Sequence, residues 1–195
     1  PGQKLPGHWQ GGNLEGVRKF PVRLAVPNKL VYSPHEYGPG VHNADWFHAG
    51  DFPENLHRRW ELGFYYIVQQ GIAPVLVGEF GGHQVGTKSK EGIWAQQFVE
   101  FIKQKNLSFA YWCWNPNSPD TGGFVKSDWK TVEQAKKQLI NMLLIPEAVA
   151  LEMPHVSTAA ERKAAHKTPV GYLFAHTTRD DYHRMYYAVS RDGLK

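Results

Sequence analysis

Three short apolar runs, each ending in a turn and each followed by a stretch with helical spacing, restrict this chain to an alternating β/α fold. The clearest run is Ala73-Pro74-Val75-Leu76-Val77, which breaks out into Gly78-Glu79-Phe80-Gly81-Gly82. A strand that is apolar on both faces is buried on both faces, as in a parallel sheet covered by helices. A strand is predicted before it at Lys29 to Ser33, around Leu30, Val31 and Tyr32, and one after it at Phe109 to Trp112. Leu56, Trp60, Phe64, Ile67 and Val68 recur at helical spacing after Pro53, and Gly71 can end that helix. Ile93, Trp94, Phe98, Phe101 and Ile102 mark a second helix, stopped near Asn106. Thr131 with Gln134 predicts a capping-box start for a third, over Val132, Ala135, Leu139, Met142 and Leu143, closed by Pro146. Residues 1–28, 40–52 and 83–90 read as loops. The fold class is α/β with a parallel sheet and right-handed crossovers.

Residues 146–168 change character. Ala159-Ala160-Glu161-Arg162-Lys163-Ala164-Ala165-His166-Lys167 has few apolar anchors and reads as a linker or a short solvated helix. Val170 to Thr177 and Met185 to Ser190 then flank a polar turn at Arg179-Asp180-Asp181-Tyr182-His183, which predicts a β-hairpin. A lone hairpin is marginal in water.

The bulk numbers exclude several function classes. Net charge is +4 without a Lys/Arg block, so no nucleic-acid partner is expected. No apolar run has transmembrane length, so no membrane partner is expected either. The lone cysteine, Cys113, rules out an internal disulfide or a cysteine-based metal cluster. His42, Asp45 and His48 lie in a loop without a supporting pattern and read as solvated, so neither metal nor cofactor is expected. Asn106-Leu107-Ser108 fits a glycosylation sequon.

Two strand ends carry the chemistry. Glu79 projects from the carboxyl end of its strand, where α/β sheets place their reactive groups, and flanking glycines leave room for a ligand. Tyr111-Trp112-Cys113-Trp114-Asn115-Pro116-Asn117-Ser118-Pro119-Asp120-Thr121-Gly122-Gly123 is dense in indole rings that can stack on pyranose faces. Trp112 and Trp114 alternate, so a regular strand turns one of them inward and packs the other outward against a helix. His35 and Tyr37 follow Pro34 at the end of the first strand. Glu36 lies between them, but neighbouring residues on an extended segment point opposite ways. His35 and Glu36 cannot both face one site. Asp120 reads as a turn residue bonding its own backbone.

Taken in order, Trp9-Gln10-Gly11-Gly12-Asn13-Leu14, Tyr32-Ser33-Pro34-His35-Glu36-Tyr37, Gly78-Glu79-Phe80-Gly81, Trp112 to Ser118 with Asp120-Thr121-Gly122-Gly123, and Asp128-Trp129 resemble the carboxyl half of a glycoside hydrolase family 5 domain of the endoglucanase (cellulase) type. The resemblance implies a (β/α)8 TIM barrel, here strands six to eight over residues 1–145, that cleaves β-1,4-glucans with retention of configuration. By that match Glu79 looks like the nucleophile. His35 and Tyr37 resemble the pair contacting the sugar and the nucleophile, Trp112 the platform beneath that sugar, and Trp9 a further subsite ring. Residues 169–195, through Gly171-Tyr172-Leu173-Phe174 and Tyr187-Ala188-Val189-Ser190-Arg191-Asp192-Gly193, resemble the start of a family 43 propeller.

A retaining glycosidase needs a second carboxyl about 5–5.5 Å from the first. In the family it follows strand four, so the expectation is that this chain lacks it and that the isolated chain is inactive. A mannanase or mixed-linkage glucanase, or a non-catalytic carbohydrate-binding remnant, are the alternatives. Expected partners are a β-glucan and either the first half of the barrel or a self-associated copy, since an open barrel exposes strand edges. Pro1 to Gly7 carries no leader pattern and reads as the middle of a longer, secreted enzyme.

Overall fold

The computed structural model describes Leu5, residues 11–144, and the backbone of 172–178 and 181–190. Trp9 and the expected linker at 146–168 lie outside the described residues. The chain divides into two units, Pro1–Leu144 and Ile145–Lys195.

In the first unit the described strands are parallel. β1 (His35–Tyr37) is followed by α1 (Asn55–Trp60), a π-helical stretch (Glu61–Tyr65) and α2 (Tyr66–Gln69). β2 (Leu76–Val77) and β3 (Glu79–Gly81) then form one run, followed by α3 (Lys90–Lys105), β4 (Ser108–Phe109) and α4 (Gln134–Asn141). The middle run pairs on both sides. β1 meets β3 in the register His35↔Glu79, Glu36↔Phe80, Tyr37↔Gly81, and β2 meets β4 as Leu76↔Ser108, Val77↔Phe109. The first strand therefore reaches beyond the expected end at Ser33. A Tyr32↔Val75 bridge opens it, and Gly78 N–H donates to Pro34 O at 2.9 Å, because a proline lacks only its donor and can still accept. The third strand continues past Phe109 through Ala110 N to Val77 O at 2.8 Å and Trp112 N to Phe80 O at 2.9 Å.

The helices end where local chemistry dictates. Gly71 adopts φ +64, its N–H bonds Val68 O, and the Ile72 N–H bonds Ile67 O, a Schellman closure. Asn106 does the same after α3, with φ 50, its own bond to Lys103 O, and Leu107 N to Ile102 O. Ser89 caps α3 by accepting from Gly92 N at 3.1 Å. The capping box expected at Thr131 does not form. Asp128 captures that residue instead, taking its N–H at 2.8 Å and its hydroxyl at 2.5 Å, so α4 starts at Gln134 without a side-chain cap. The first helix starts at Asn55 rather than Pro53, which lies in the preceding turn.

One face of the sheet packs on α1 and α3. Phe80 points into this layer, its ring centroid 5.5 Å from Phe98 and 5.2 Å from Tyr111, while Trp60 lies 4.8 Å from Phe98 and 5.1 Å from Phe101. Trp60, Phe80, Phe98 and Phe101 are buried and Tyr111 half-buried, so aromatic rings able to line a groove also build much of the core. Of the apolar stripe expected on α4, Leu139 is buried and Met142 and Leu143 pack partly against the core, whereas Ala135 is exposed and Lys136 and Ile140 are buried. In the second unit β5 (Tyr172–Thr178) and β6 (Asp181–Ser190) form the expected antiparallel hairpin. Its second strand begins at Asp181, inside the segment expected to turn.

The loop at the N-terminal side of β1 is docked by a glycine of the π-helical stretch. Leu14 N–H bonds the Gly63 carbonyl at 2.8 Å, and a Cβ on Gly63 would stand 2.6 Å from Gly12 O. Tyr66 Oη bonds Leu14 O at 2.7 Å, and the Arg18 guanidinium lies 3.5 Å over the Tyr66 ring. Gly63→Ala is expected to destabilise the protein by about 1–3 kcal/mol through overpacking. Gly16→Ala, where an added Cβ meets nothing within 4 Å, should stay within about 0.5 kcal/mol. Urea midpoints of the two variants check this, and equal midpoints would refute the docking role.

Candidate active site

Register builds the site. Residues opposite each other in a parallel ladder share a face, and alternate residues return to it. His35, Tyr37 and Glu79 thus gather on the face away from the helices. Gly78 keeps the space between them, since a Cβ there would overlap Ser33 Oγ and stand 2.8 Å from His35 Nε2. Gly81 does the same for the backbone carbonyl of Trp112. Ser33, His35, Tyr37, Val41, Glu79, Trp112 and Asp120 line a cleft of about 500 Å³. The sequence reading placed Asp120 in a turn and did not single out Ser33 or Val41. No local pattern distinguishes them, because their neighbours in the cleft are distant in sequence.

Both protein contacts on Glu79 converge on one oxygen. Tyr37 Oη donates to Oε2 at 2.6 Å, and His35 Nδ1 lies 3.2 Å from the same atom. The imidazole is at ion-pair distance but off the hydrogen-bond direction, so its hold is mainly electrostatic. Half-burial would raise the carboxyl's pKa, but the polar contacts of His35 and Tyr37 and the imidazole's charge outweigh it and hold Glu79 below the usual range. Burial, the bond to Glu79 and the charges of Glu79 and Asp120 push the Tyr37 phenol upward. The pair is therefore an ionised carboxylate held by a neutral phenol donor.

Trp112 is 38% exposed in the cleft wall, and its peptide to Cys113 is cis. Trp114 does face outward, but it does not bury against a helix. It is 60% exposed and stacks on Phe124, centroids 5.9 Å apart at 20°. Phe124 already fills the space beside Tyr111 at 5.8 Å, so Trp114 can only cover it. The loop between these rings is pinned by Lys136, whose Nζ donates to Thr121 O at 2.7 Å and Gly123 O at 2.9 Å. Two carbonyl acceptors explain how a lysine occupies a buried helix position. Cys113 is buried and leans on Asn115 O at 3.6 Å.

Glu36 faces away from the cleft, as strand alternation requires. It accepts from Trp60 Nε1 at 3.2 Å in the helix layer, and burial pushes its pKa up to about 8 despite that bond and the nearby Arg59 charge. Of the loop trio, His48 is engaged elsewhere: its Nε2 meets Asn43 Oδ1 at 2.7 Å and its Nδ1 meets Lys90 Nζ at 3.0 Å. Among the described residues no group of three or more His, Cys, Asp or Glu is placed to hold a metal ion, and no helix is long and apolar enough to cross a membrane.

The family model for cellulase, glycosyl hydrolase family 5, matches residues 5–118. An endoglucanase from Paenibacillus polymyxa is 46% identical over 158 residues, covering 81% of this chain and 38% of that protein. Endoglucanase G of Acetivibrio thermocellus is 43% identical over 139 residues, covering 70% and 24%. Among solved structures, an endocellulase from Pyrococcus horikoshii in complex with cellotetraose aligns with a TM-score of 0.63 at 39% identity, over 70% of this chain and 37% of that one. The chain thus spans well under half the length of these relatives.

The buried Glu36 predicts a pH dependence of stability. Its folded pKa of about 8 lies above the ordinary 4.5, so the folded state keeps a proton that the unfolded state has lost. That contribution is complete below pH 4.5 and is lost as pH rises toward 8, at up to about 1.4 kcal/mol per unit. Glu36→Gln keeps an acceptor for Trp60 and should remove the loss. Thermal melts of both proteins across this window check it, and parallel curves would count against the buried neutral carboxyl.

Proposed function

Because the chain belongs to glycosyl hydrolase family 5, the cellulase family, we propose that it carries the nucleophile side of a retaining endo-β-1,4-glucanase site, with Glu79 attacking the anomeric carbon. The observation that carries the reading is the convergence of Tyr37 and His35 on Glu79 Oε2, at 2.6 and 3.2 Å. Those contacts keep the carboxylate ionised, and neither involves Oε1, the oxygen left to form the glycosyl-enzyme. That bond forms as the glycosidic C–O bond breaks and the leaving oxygen takes a proton from the acid/base; water, giving a proton back to that group, then attacks the same carbon and frees the Glu79 carboxylate with net retention. Trp112 supplies the face on which the pyranose rests, and Trp9 a further subsite ring. His35 and Tyr37 also contact that sugar.

The proton donor is the other half of the reaction. Of the acidic residues described, Glu79 and Asp120 line the cleft and Glu36 faces the helix layer. Asp120 is exposed in the turn after Pro119, not at the strand-four end that the family gives its proton donor. The acid/base is therefore assigned to polypeptide other than the described residues, after strand four of a (β/α)8 barrel in which the strands seen here are six to eight. Parallel order and the alignment over 37% of the Pyrococcus horikoshii endocellulase support that placement. The barrel's remaining strands would cover the open sheet edge, and a hairpin module of the family 43 kind would follow a linker. The substrate is a β-glucan, supported by that endocellulase's complex with cellotetraose. An extracellular location fits a polymer too large to enter a cell, and the 36%-identical relative from Xanthomonas campestris is called the major extracellular endoglucanase.

An activated 2-fluoro cellobiosyl fluoride tests the nucleophile alone, since fluoride departs without a proton donor. The chain is expected to gain one glycosyl mass on the peptide holding Glu79, and Glu79→Gln to gain none. Trp112→Ala should weaken cellotetraose binding roughly 2- to 10-fold through lost stacking. Cello-oligosaccharide binding without any adduct would instead mark a non-catalytic binding remnant.

A further inference from the structure

Glu91, like Glu36, is a buried acidic residue that the proposed reaction leaves without a task. It sits in the first turn of α3, where an acidic side chain ordinarily faces solvent and complements the helix dipole, yet it is 4% exposed. Its Oε2 accepts the Gln84 N–H at 2.8 Å. Its Oε1 is buried without a hydrogen-bond partner among the described residues. A buried carboxylate oxygen in that condition is costly, so packing must hold it there.

What surrounds it are the exits of the two strands that carry the site. A Cβ on Gly40 would intrude directly on Glu91 Oε1, and one on Gly82 would stand 2.8 Å from it. A Cβ on Gly38 would come within 3.3 Å of the Glu91 Cγ and 2.7 Å of the Trp94 ring. Gly38 and Gly40 follow Tyr37, and Gly82 and Gln84 follow Glu79. The helix start is thus pressed against both exits at once, with glycines removing every side chain that would keep it away. We propose that Glu91 is a positioning residue, clamping the chain after β1 to the chain after β3 and so fixing the separation of Tyr37 and Glu79.

The inference rests on the reading of Glu79 as nucleophile only for its catalytic meaning; the clamp itself is geometric. Glu79 is faced by His35 and Tyr37 from β1 and shares the cleft with Asp120. Glu91 acts electrostatically on Tyr111 beyond β4 and on Lys136 of α4. Losing the Tyr37 bond would make Glu79 less acidic, so an upward shift reports that loss.

Carbon-13 carboxylate NMR of the full chain reads the Glu79 titration, its resonance identified by its absence in Glu79→Gln. Glu91→Ala is expected to raise the Glu79 midpoint by about one pH unit, the size of one lost hydrogen bond to a charged group. Glu91→Gln, which keeps an acceptor for Gln84, should stay near the wild type. In a Tyr37→Phe background Glu91→Ala should add nothing, because the bond it protects is already gone. Gly40→Ala, which displaces Glu91 without removing it, should reproduce the upward shift and serves if Glu91→Ala does not fold. An unchanged or lowered midpoint, or an equal rise in the Tyr37→Phe background, would overturn the proposal. Glycosyl trapping at Glu79 is read separately, so a failed nucleophile and a failed clamp give different results.

Discussion

In a parallel ladder the residues in register share a face, and the pairing of His35 with Glu79 decides which side chains meet in this protein. Moving that pairing by one residue would place Glu36, not His35 or Tyr37, beside the carboxylate. The same alternation sends Phe80 and Glu36 into the helix layer. Core and cleft are therefore two faces of one register, and the aromatic packing on Trp60, Phe98 and Phe101 secures the face turned away from the cleft.

Glycine is the second constraint. At Gly78 and Gly81 it admits Ser33, His35 and the Trp112 carbonyl to the space beside Glu79, and at Gly38, Gly40 and Gly82 it admits α3. Close approach rather than backbone freedom is the reason, since none of these five is among the glycines with positive φ. Removal of a Cβ at each position lets polar groups come near enough to share one environment, and that environment holds the Glu79 carboxylate ionised while Glu36, one strand away and fully enclosed, is held neutral. Burial holds Glu36 neutral, whereas the contacts of His35 and Tyr37 and the imidazole's charge outweigh partial burial at Glu79 and keep it ionised.

Helix spacing, the terminators Gly71 and Asn106, and the parallel character of the strands were legible because each depends on nearby residues: an apolar period, an αL-tolerant residue, an apolar run before a glycine turn. Thr131 misled because Asp128, three residues upstream, competes for it. The extent of the first strand was hidden by Pro34, whose lost donor looks like a stop until its carbonyl is seen to accept from Gly78. The burial of Lys136 on α4 was not legible because its acceptors belong to the Thr121–Gly123 loop, which only the folded chain brings within reach.

By itself the sequence determined the α/β class and the incompatibility of His35 and Glu36 on one face, since both follow from periods of two and of 3.6 along the chain; Glu79, expected beyond a strand ending at Val77, instead lies in the ladder as the first residue of β3. Tertiary structure alone decided that His35 and Tyr37 meet the same oxygen of Glu79, that Asp120 joins the cleft, and that Glu91 is pressed between two strand exits. The physical reason is range. Periodicity is written in adjacent residues, whereas a contact between positions 37 and 79 exists only after register and helix packing have brought distant segments together.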